Sequence, residues 1–378
     1  MKVVYDSFEG RYSDNPRALF AWMRERRPQD EHVWLADPAH AATFPADVAT
    51  VPTRSAAAVA ALESADLVVG NTHIELDWVK KPGARYLQTW HGTPLKRIHR
   101  DSLWAPPGVV DRLDLDVARW DYLVSPNAVS TPRLRRAFSF DGKVLEVGYP
   151  RNDVLSSPAA APTRARVRAQ LGLPDGVTAV LYAPTWRDRE FYLADAPPAV
   201  LQLDVDRVLD RLGPGHVLLT RLHPKMTDRA AGLERPGVLD VSRYPEVHEL
   251  YLAADVLVTD YSSVMFDFAV TGKPILFYAY DLEAYRDDLR GFYFDLEELA
   301  PGPVTRTTDE LADALTDLAG VRRAHAEAYA EFRRLFTHLE DGHAAERLER
   351  VFAKAARRAS RRAAGEPTSA PALSGRIG

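Results

Sequence analysis

The stretch Gln88-Thr89-Trp90-His91-Gly92-Thr93-Pro94-Leu95-Lys96 sets a histidine directly after an apolar run. A glycine follows that lets backbone approach a ligand, and then a threonine able to cap a helix. A lone histidine is more often structural than catalytic, but a His-Gly-Thr-Pro turn at a strand end points to function, with a helix start nearby that favours an anion. Arg221-Leu222-His223-Pro224-Lys225 flanks a second strand-terminal histidine with two cations and reads as a phosphate pocket, against the plainer alternative of a solvated loop. Tyr182-Ala183-Pro184-Thr185-Trp186-Arg187-Asp188 supplies a hydroxyl, an indole and a guanidinium together; Trp186 fits a core or a ligand wall equally well. In Thr259-Asp260-Tyr261-Ser262-Ser263 the adjacent hydroxyls at a helix start can hold phosphate oxygens. Asp260 would repel such a phosphate, so it is expected to orient a neighbour or meet a sugar hydroxyl. Simple N-capping by Ser262 or Ser263 accompanies that reading.

These residues need elements to place them. Short apolar runs closed by Gly, Asn, Asp or Pro alternate with amphipathic stretches, the signature of an α/β protein. Strands are expected at 2–5, 32–35, 67–70, 86–89, 122–125 and 143–147, then at 179–182, 217–219, 238–241, 256–259 and 275–278. A helix begins at Asp14-Asn15-Pro16, with Leu19, Trp22 and Met23 facing the sheet. Between Gly148 and Arg166 the composition shifts to Pro, Ser and Ala; no strand or long helix fits, and the domain linker is expected there. The pattern divides the chain into residues 1–155, 156–352 and a basic tail, 353–378, expected to be disordered. In open α/β sheets ligands bind beyond the carboxyl ends of strands, where all four stretches lie.

Composition narrows the function classes. The 378 residues carry Lys+Arg 48 against Asp+Glu 53, net −5, so no global positive field exists to hold nucleic acid. With Cys 0, thiol nucleophiles, disulfides and thiolate metal sites are impossible, which favours a reducing, cytoplasmic setting. No stretch approaches the roughly 18 apolar residues of a membrane span. Asp114-Leu115-Asp116 and Asp204-Val205-Asp206 match a metal-binding Asp-x-Asp pattern, but both lie in helix-like sequence, and no metal site is assigned to them. Gly-x-Gly-x-x-Gly, Gly-Lys-Ser/Thr and Gly-x-Ser-x-Gly patterns are absent.

Taken together, the sequence resembles the CDP-glycerol glycerophosphotransferase family, which builds glycerol- or ribitol-phosphate chains of teichoic acids and related capsule polymers. The resemblance rests on the four stretches above and on Tyr5-Asp6-Ser7-Phe8-Glu9-Gly10, Tyr12-Ser13-Asp14-Asn15-Pro16-Arg17, Gly148-Tyr149-Pro150-Arg151-Asn152-Asp153, Arg290-Gly291-Phe292-Tyr293-Phe294-Asp295 and Asp341-Gly342 with Arg347. It implies a GT-B architecture: two Rossmann-like domains face across a cleft, acceptor on the first and CDP-alditol donor on the second, with the last helices crossing back. It implies no cofactor and no metal. His91 matches the histidine proposed as general base, and His223 one near the donor diphosphate. Ser262, Ser263, Arg347, Arg187, Thr185 and Asp260 fall at donor-binding positions, with Trp90, Thr93 and Arg221 as further cleft candidates. The family's larger polymerases carry an extra N-terminal region, so this chain is expected to correspond to their catalytic core.

The acceptor is expected to be lipid-linked or a polymer, which calls for a peripheral position at the inner face of the membrane. Arg133-Leu134-Arg135-Arg136, Lys96-Arg97 through Arg100, and Arg357-Arg358 with Arg361-Arg362 are the basic clusters available for it. Two other functions fit the same pattern: a GT-B glycosyltransferase using a nucleotide sugar, and an inert nucleotide-binding envelope-assembly protein.

Overall fold

The strands form two separate all-parallel sheets. The structure, a computed structural model, describes residues 1–103, 107–185, 201–222 and 235–352, without the side chains of 288–290. The first sheet comprises β1 (Lys2–Asp6), β2 (Glu31–Ala36), β3 (Thr50–Pro52), β4 (Leu67–Gly70), β5 (Arg85–Gln88), β6 (Tyr122–Ser125) and β7 (Lys143–Glu146), in the order β3-β2-β1-β4-β5-β6-β7. The second comprises β8 (Thr178–Tyr182), β9 (His216–Thr220), β10 (Val238–Asp240), β11 (Val256–Thr259), β12 (Ile275–Tyr278) and β13 (Val304–Thr305), in the order β10-β9-β8-β11-β12-β13. Both are doubly wound: strand order reverses between β1 and β4 and again between β8 and β11. At such a reversal the connections diverge to opposite faces and leave a crevice at the carboxyl ends.

The central strands are apolar throughout because helices cover both faces. Val4, Val68, Trp78 and Leu134 pack on one face of the first sheet, and Val3, Leu19, Met23 and Leu87 on the other. Trp22 stays at the rim of that second cluster, its indole donating to Glu349 at 3.1 Å. Two short strands, β3 and β13, escape the sequence reading because they lie at sheet edges with too few residues to form an apolar run.

The expected linker contains more structure than the sequence indicated. A helix runs from Ala160 to Gln170, with Val167 as its buried residue. It has almost no apolar stripe; instead Arg164 donates to the carbonyls of Leu252, Ala253 and Ala254, and Arg164 and Arg168 pair with Asp255 at 2.6 and 3.2 Å. Pro162 sits in the first turn, where its missing N–H leaves no bond unmade.

Residues 344–352 return to the first domain as a helix whose Ala345, Leu348 and Phe352 join the cluster around Val3 and Tyr5. Asp153 caps it, accepting from the amides of Ala344 and Ala345 at 2.9 Å each, where a carboxylate also meets the positive end of the helix. The domains are further joined by an antiparallel bridge between Lys96 and Phe292, flanked by bonds from the Arg97 amide to the Gly291 carbonyl and from the Tyr293 amide to the Leu95 carbonyl.

Candidate active site

The first-domain crevice is built from the loops after β1, β4 and β5. Asn71, directly after β4, is fully buried; it accepts from the Phe8 amide at 3.0 Å and donates to Ser7 Oγ at 3.1 Å. Its backbone carbonyl lies 2.6 Å from His91 Nδ1. A carbonyl can only accept, so Nδ1 carries the proton and Nε2 keeps its lone pair. The imidazole lies between Trp90, centroids 4.1 Å apart, and Phe8 at 5.3 Å. Burial lowers the His91 pKa below its ordinary 6.5, and the nearby charges of Arg151 and Lys96 push the same way, against the opposing pull of the Asn71 bond and Asp14. His91 is thus a neutral base with a fixed tautomer at physiological pH.

The loop carrying it is held in an unfavourable backbone shape. Trp90 has φ +54°, rare for a bulky residue. Three bonds fix that peptide: Trp90 N–H donates to Gln88 Oε1 at 2.8 Å, Asn15 Nδ2 donates to the Trp90 carbonyl at 3.0 Å, and Arg151 Nη1 donates to the His91 carbonyl at 2.9 Å. The Trp90 indole itself belongs to the first-domain core, edge-on to Phe138 at 4.7 Å, so it supports the histidine from behind. Thr93 is buried at 3% exposure two residues beyond His91.

The second-domain crevice is stitched in a similar way. Asp260, after β11 and 2% exposed, accepts at Oδ1 from the amides of Thr185 (2.8 Å), after β8, and Tyr261 (2.6 Å). These bonds tie the loops after β8 and β11 together. Ser263 stands at the N-cap of the helix Val264–Ala269 without a side-chain capping bond, and Ser262 Oγ is a distant 3.5 Å from the Val264 amide. Capping therefore makes little use of either hydroxyl.

The two crevices meet at Gly92. A Cβ there would lie 2.9 Å from Ser263 Oγ and 3.1 Å from Ser263 Cβ, so the glycine permits the His91 loop to approach Ser263 closely. Gly92→Ala is expected to lower kcat/KM by about tenfold or more by pushing these walls apart. In a Ser263→Gly background the same change should be nearly neutral, a coupling that a double-mutant cycle in kcat/KM measures directly.

The remaining expected residues are distributed differently. Arg221 donates to the carbonyls of Val241 and Tyr244 at 3.1 and 2.8 Å and borders a cavity between the domains. Arg347 donates to the carbonyls of Val147 and Leu339 and pairs with Asp341, at the joint where the last helix returns. That places its guanidinium in the interdomain connection, with none of those partners belonging to the His91–Ser263 face. His223 and Arg187, with Trp186, Lys225 and the basic tail, lie outside the described residues. Of the basic clusters, Arg136 pairs with Asp101, Arg100 with Asp114, and Arg133 stacks over Phe294 at 5.1 Å. Asp204 caps the helix Val205–Leu212, and Asp116 accepts from Trp120 Nε1 and Tyr86 O–H. Among the described residues no group of His, Asp and Glu has the arrangement of a metal site.

Sequence reasoning missed the residues that assemble the site. Arg151, 6% exposed, donates to Asp14 (2.6 Å), to the His91 carbonyl and to Asp267 (2.7 Å), joining both domains to the base-bearing loop. Asn152 adds a bond to Asp267 at 2.9 Å. Asn71 had a usable signal, its place directly after a strand. Arg151 lay within a quoted motif, but nothing local marks its partners.

The model of the family described as CDP-Glycerol:Poly(glycerophosphate) glycerophosphotransferase matches residues 1–353. A teichoic acid poly(glycerol phosphate) polymerase of Bacillus subtilis (strain 168) is 37% identical over 365 residues, 93% of this chain and 48% of that protein, so the chain spans about half of that relative's length. A teichoic acid glycerol-phosphate transferase of Staphylococcus aureus is 37% identical over 92% of this chain and 91% of its own. The structure of the wall teichoic acid polymerase TagF superposes with TM-score 0.87 at 35% identity, covering 95% of this chain and 90% of that one, which makes the two facing domains a GT-B-like fold. With that family model running through both crevices, the chain belongs to the CDP-glycerol:poly(glycerophosphate) glycerophosphotransferase family.

Proposed function

We propose that the protein transfers glycerol phosphate, or a related alditol phosphate such as ribitol phosphate, from a CDP-alditol to an acceptor hydroxyl with release of CMP, in the synthesis of teichoic acid or a related envelope polymer. The observation that carries this reading is His91: a half-buried imidazole with Nδ1 bound to the Asn71 carbonyl and its loop against Ser263. The acceptor hydroxyl gives its proton to Nε2 as its oxygen attacks the phosphorus nearest the glycerol. The bond from that phosphorus to the CMP oxygen breaks in the same in-line displacement. Charge developing on CMP needs fixed donors, a role assigned to Ser262 and Ser263 and, by family resemblance, to His223, Arg187 and Thr185. Arg347, also assigned to the donor by family resemblance, bonds in the joint where the last helix returns. Closure of the two domains excludes water and limits donor hydrolysis.

We place the acceptor, lipid-linked or polymeric, at the inner membrane face, with the protein peripheral. Among the described residues no helix is long and apolar enough to cross a membrane. The deciding experiment incubates the protein with CDP-glycerol, CDP-ribitol and UDP-sugars and a lipid-linked alditol-phosphate acceptor. CMP release with product gain of one alditol phosphate is expected; release of UDP with sugar transfer would overturn the reading.

A further inference from the structure

A cavity of about 510 Å³ opens between the domains, with Phe8, Arg11 and Asp14 on one wall and Arg221, Tyr244 and Glu246 on the other. Its carboxylates are already matched. Asp14 pairs with Arg151 at 2.6 Å; Glu246 pairs with Arg17 at 2.6 Å and accepts from His248 at 2.8 Å. Burial alone would raise the Glu246 carboxyl, but the His248 bond and the charges of His248 and Arg17 hold it down to about 2. The two named cations are not matched in this way. Arg221 bonds to neutral carbonyls, and among the described residues no carboxylate pairs with the half-buried Arg11. Burial lowers the Arg221 pKa; Tyr251 and Glu246 pull against that, and the charge of Arg11 adds a smaller lowering, so the two guanidinium groups repel each other across the cleft while Glu246 offsets part of the effect. An anion between them turns that repulsion into attraction and draws the walls together.

We propose that Arg11 and Arg221 form a phosphate site spanning the cleft, occupied by the phosphodiester of the acceptor's terminal unit, with Arg11 making the contact. The proposal rests on the function inferred above. The acceptor is favoured over the donor as the source of the phosphate by placement. Arg11 follows the loop that sets Phe8 against His91, where the attacking hydroxyl must arrive. The donor diphosphate is assigned to the serine pair of the other domain. A chain end would then be recognised by the phosphate one unit behind its attacking hydroxyl, which makes an acceptor already bearing a unit the preferred one.

The test measures equilibrium binding of two acceptor analogues, one ending in a glycerol phosphodiester and one with a neutral ether in its place, and of CDP-glycerol, to wild type, Arg11→Gln and Arg11→Lys. CMP release by the wild type is followed separately, so failure of the proposed reaction would be seen apart from failure of the site. Wild type is expected to bind the phosphodiester analogue about tenfold more tightly than the ether, and Arg11→Gln to abolish the difference, with CDP-glycerol affinity within about twofold. Arg11→Lys, which keeps the charge and loses the fork, should fall between. Weaker CDP-glycerol binding with an unchanged acceptor preference would move the phosphate to the donor and overturn the proposal. No change in any of the three affinities would remove the site.

Discussion

Replacing His91 by alanine is expected to slow transfer by about 10²–10⁴-fold while leaving CDP-glycerol affinity within a few-fold. In the proposed reaction the imidazole takes the acceptor proton, and its ring is held by first-domain groups: the Asn71 carbonyl, Trp90 and Phe8. Its loss therefore removes a transition-state interaction and little of the donor site. A single-turnover assay with a binding titration separates the two effects; near-normal turnover in the variant would sink the assignment.

The pH profile offers an independent check. His91 must be neutral, and burial lowers its pKa, so kcat/KM should rise through a midpoint below 6.5 and then level off. Asp6, the last residue of β1, titrates higher: burial, then the charges of Glu9 and Asp116, raise it to about 7. Asp6→Asn distinguishes them. If the limb below 6.5 survives that change and disappears in His91→Ala, it belongs to the imidazole.

How much of this was legible in the sequence follows from how local each feature is. Strands buried on both faces read directly as apolar runs, and their ends gave His91, Thr185, Asp260 and the serine pair as the places to look. The edge strands Thr50–Pro52 and Val304–Thr305 did not, nor did the helix Ala160–Gln170, whose anchoring is ionic and whose partners lie some 85–90 residues away. Site assembly was hidden for the same reason. The partner that fixes the His91 tautomer is a backbone carbonyl, invisible in any residue pattern, 20 positions upstream. The guanidinium that joins the domains reaches an aspartate 116 positions away. Family resemblance supplied which motifs belong together but not which atoms connect them. Arg347 is an instance: the resemblance groups it with the serines, while the bonds it makes, to the Val147 and Leu339 carbonyls, are not written in either motif.

Arg151→Met should produce the largest stability loss of any single change in the cleft, on the order of 3–5 kcal/mol. The substitution keeps much of the side-chain volume but leaves Asp14 and Asp267, 8% and 5% exposed, without their cation. Each would have to protonate, draw in water or move, and any of these loosens the contact between domains. The His91 carbonyl loses its bond at the same time, so the strained Trp90–His91 backbone is free to relax and activity should fall further than stability alone explains. Arg151→Lys is not expected to rescue, because one ammonium cannot reproduce a planar fork that reaches three acceptors on two domains. Combining Arg151→Met with Asp14→Asn and Asp267→Asn should recover part of the stability, since removing a whole buried ion network costs less than orphaning its anions. It should not recover activity, because the bond to the His91 carbonyl stays absent. Denaturant titrations of the single and triple variants, read beside single-turnover rates, test both halves. A single-variant loss below about 1 kcal/mol would show that solvent screens this network and that the domains are held elsewhere.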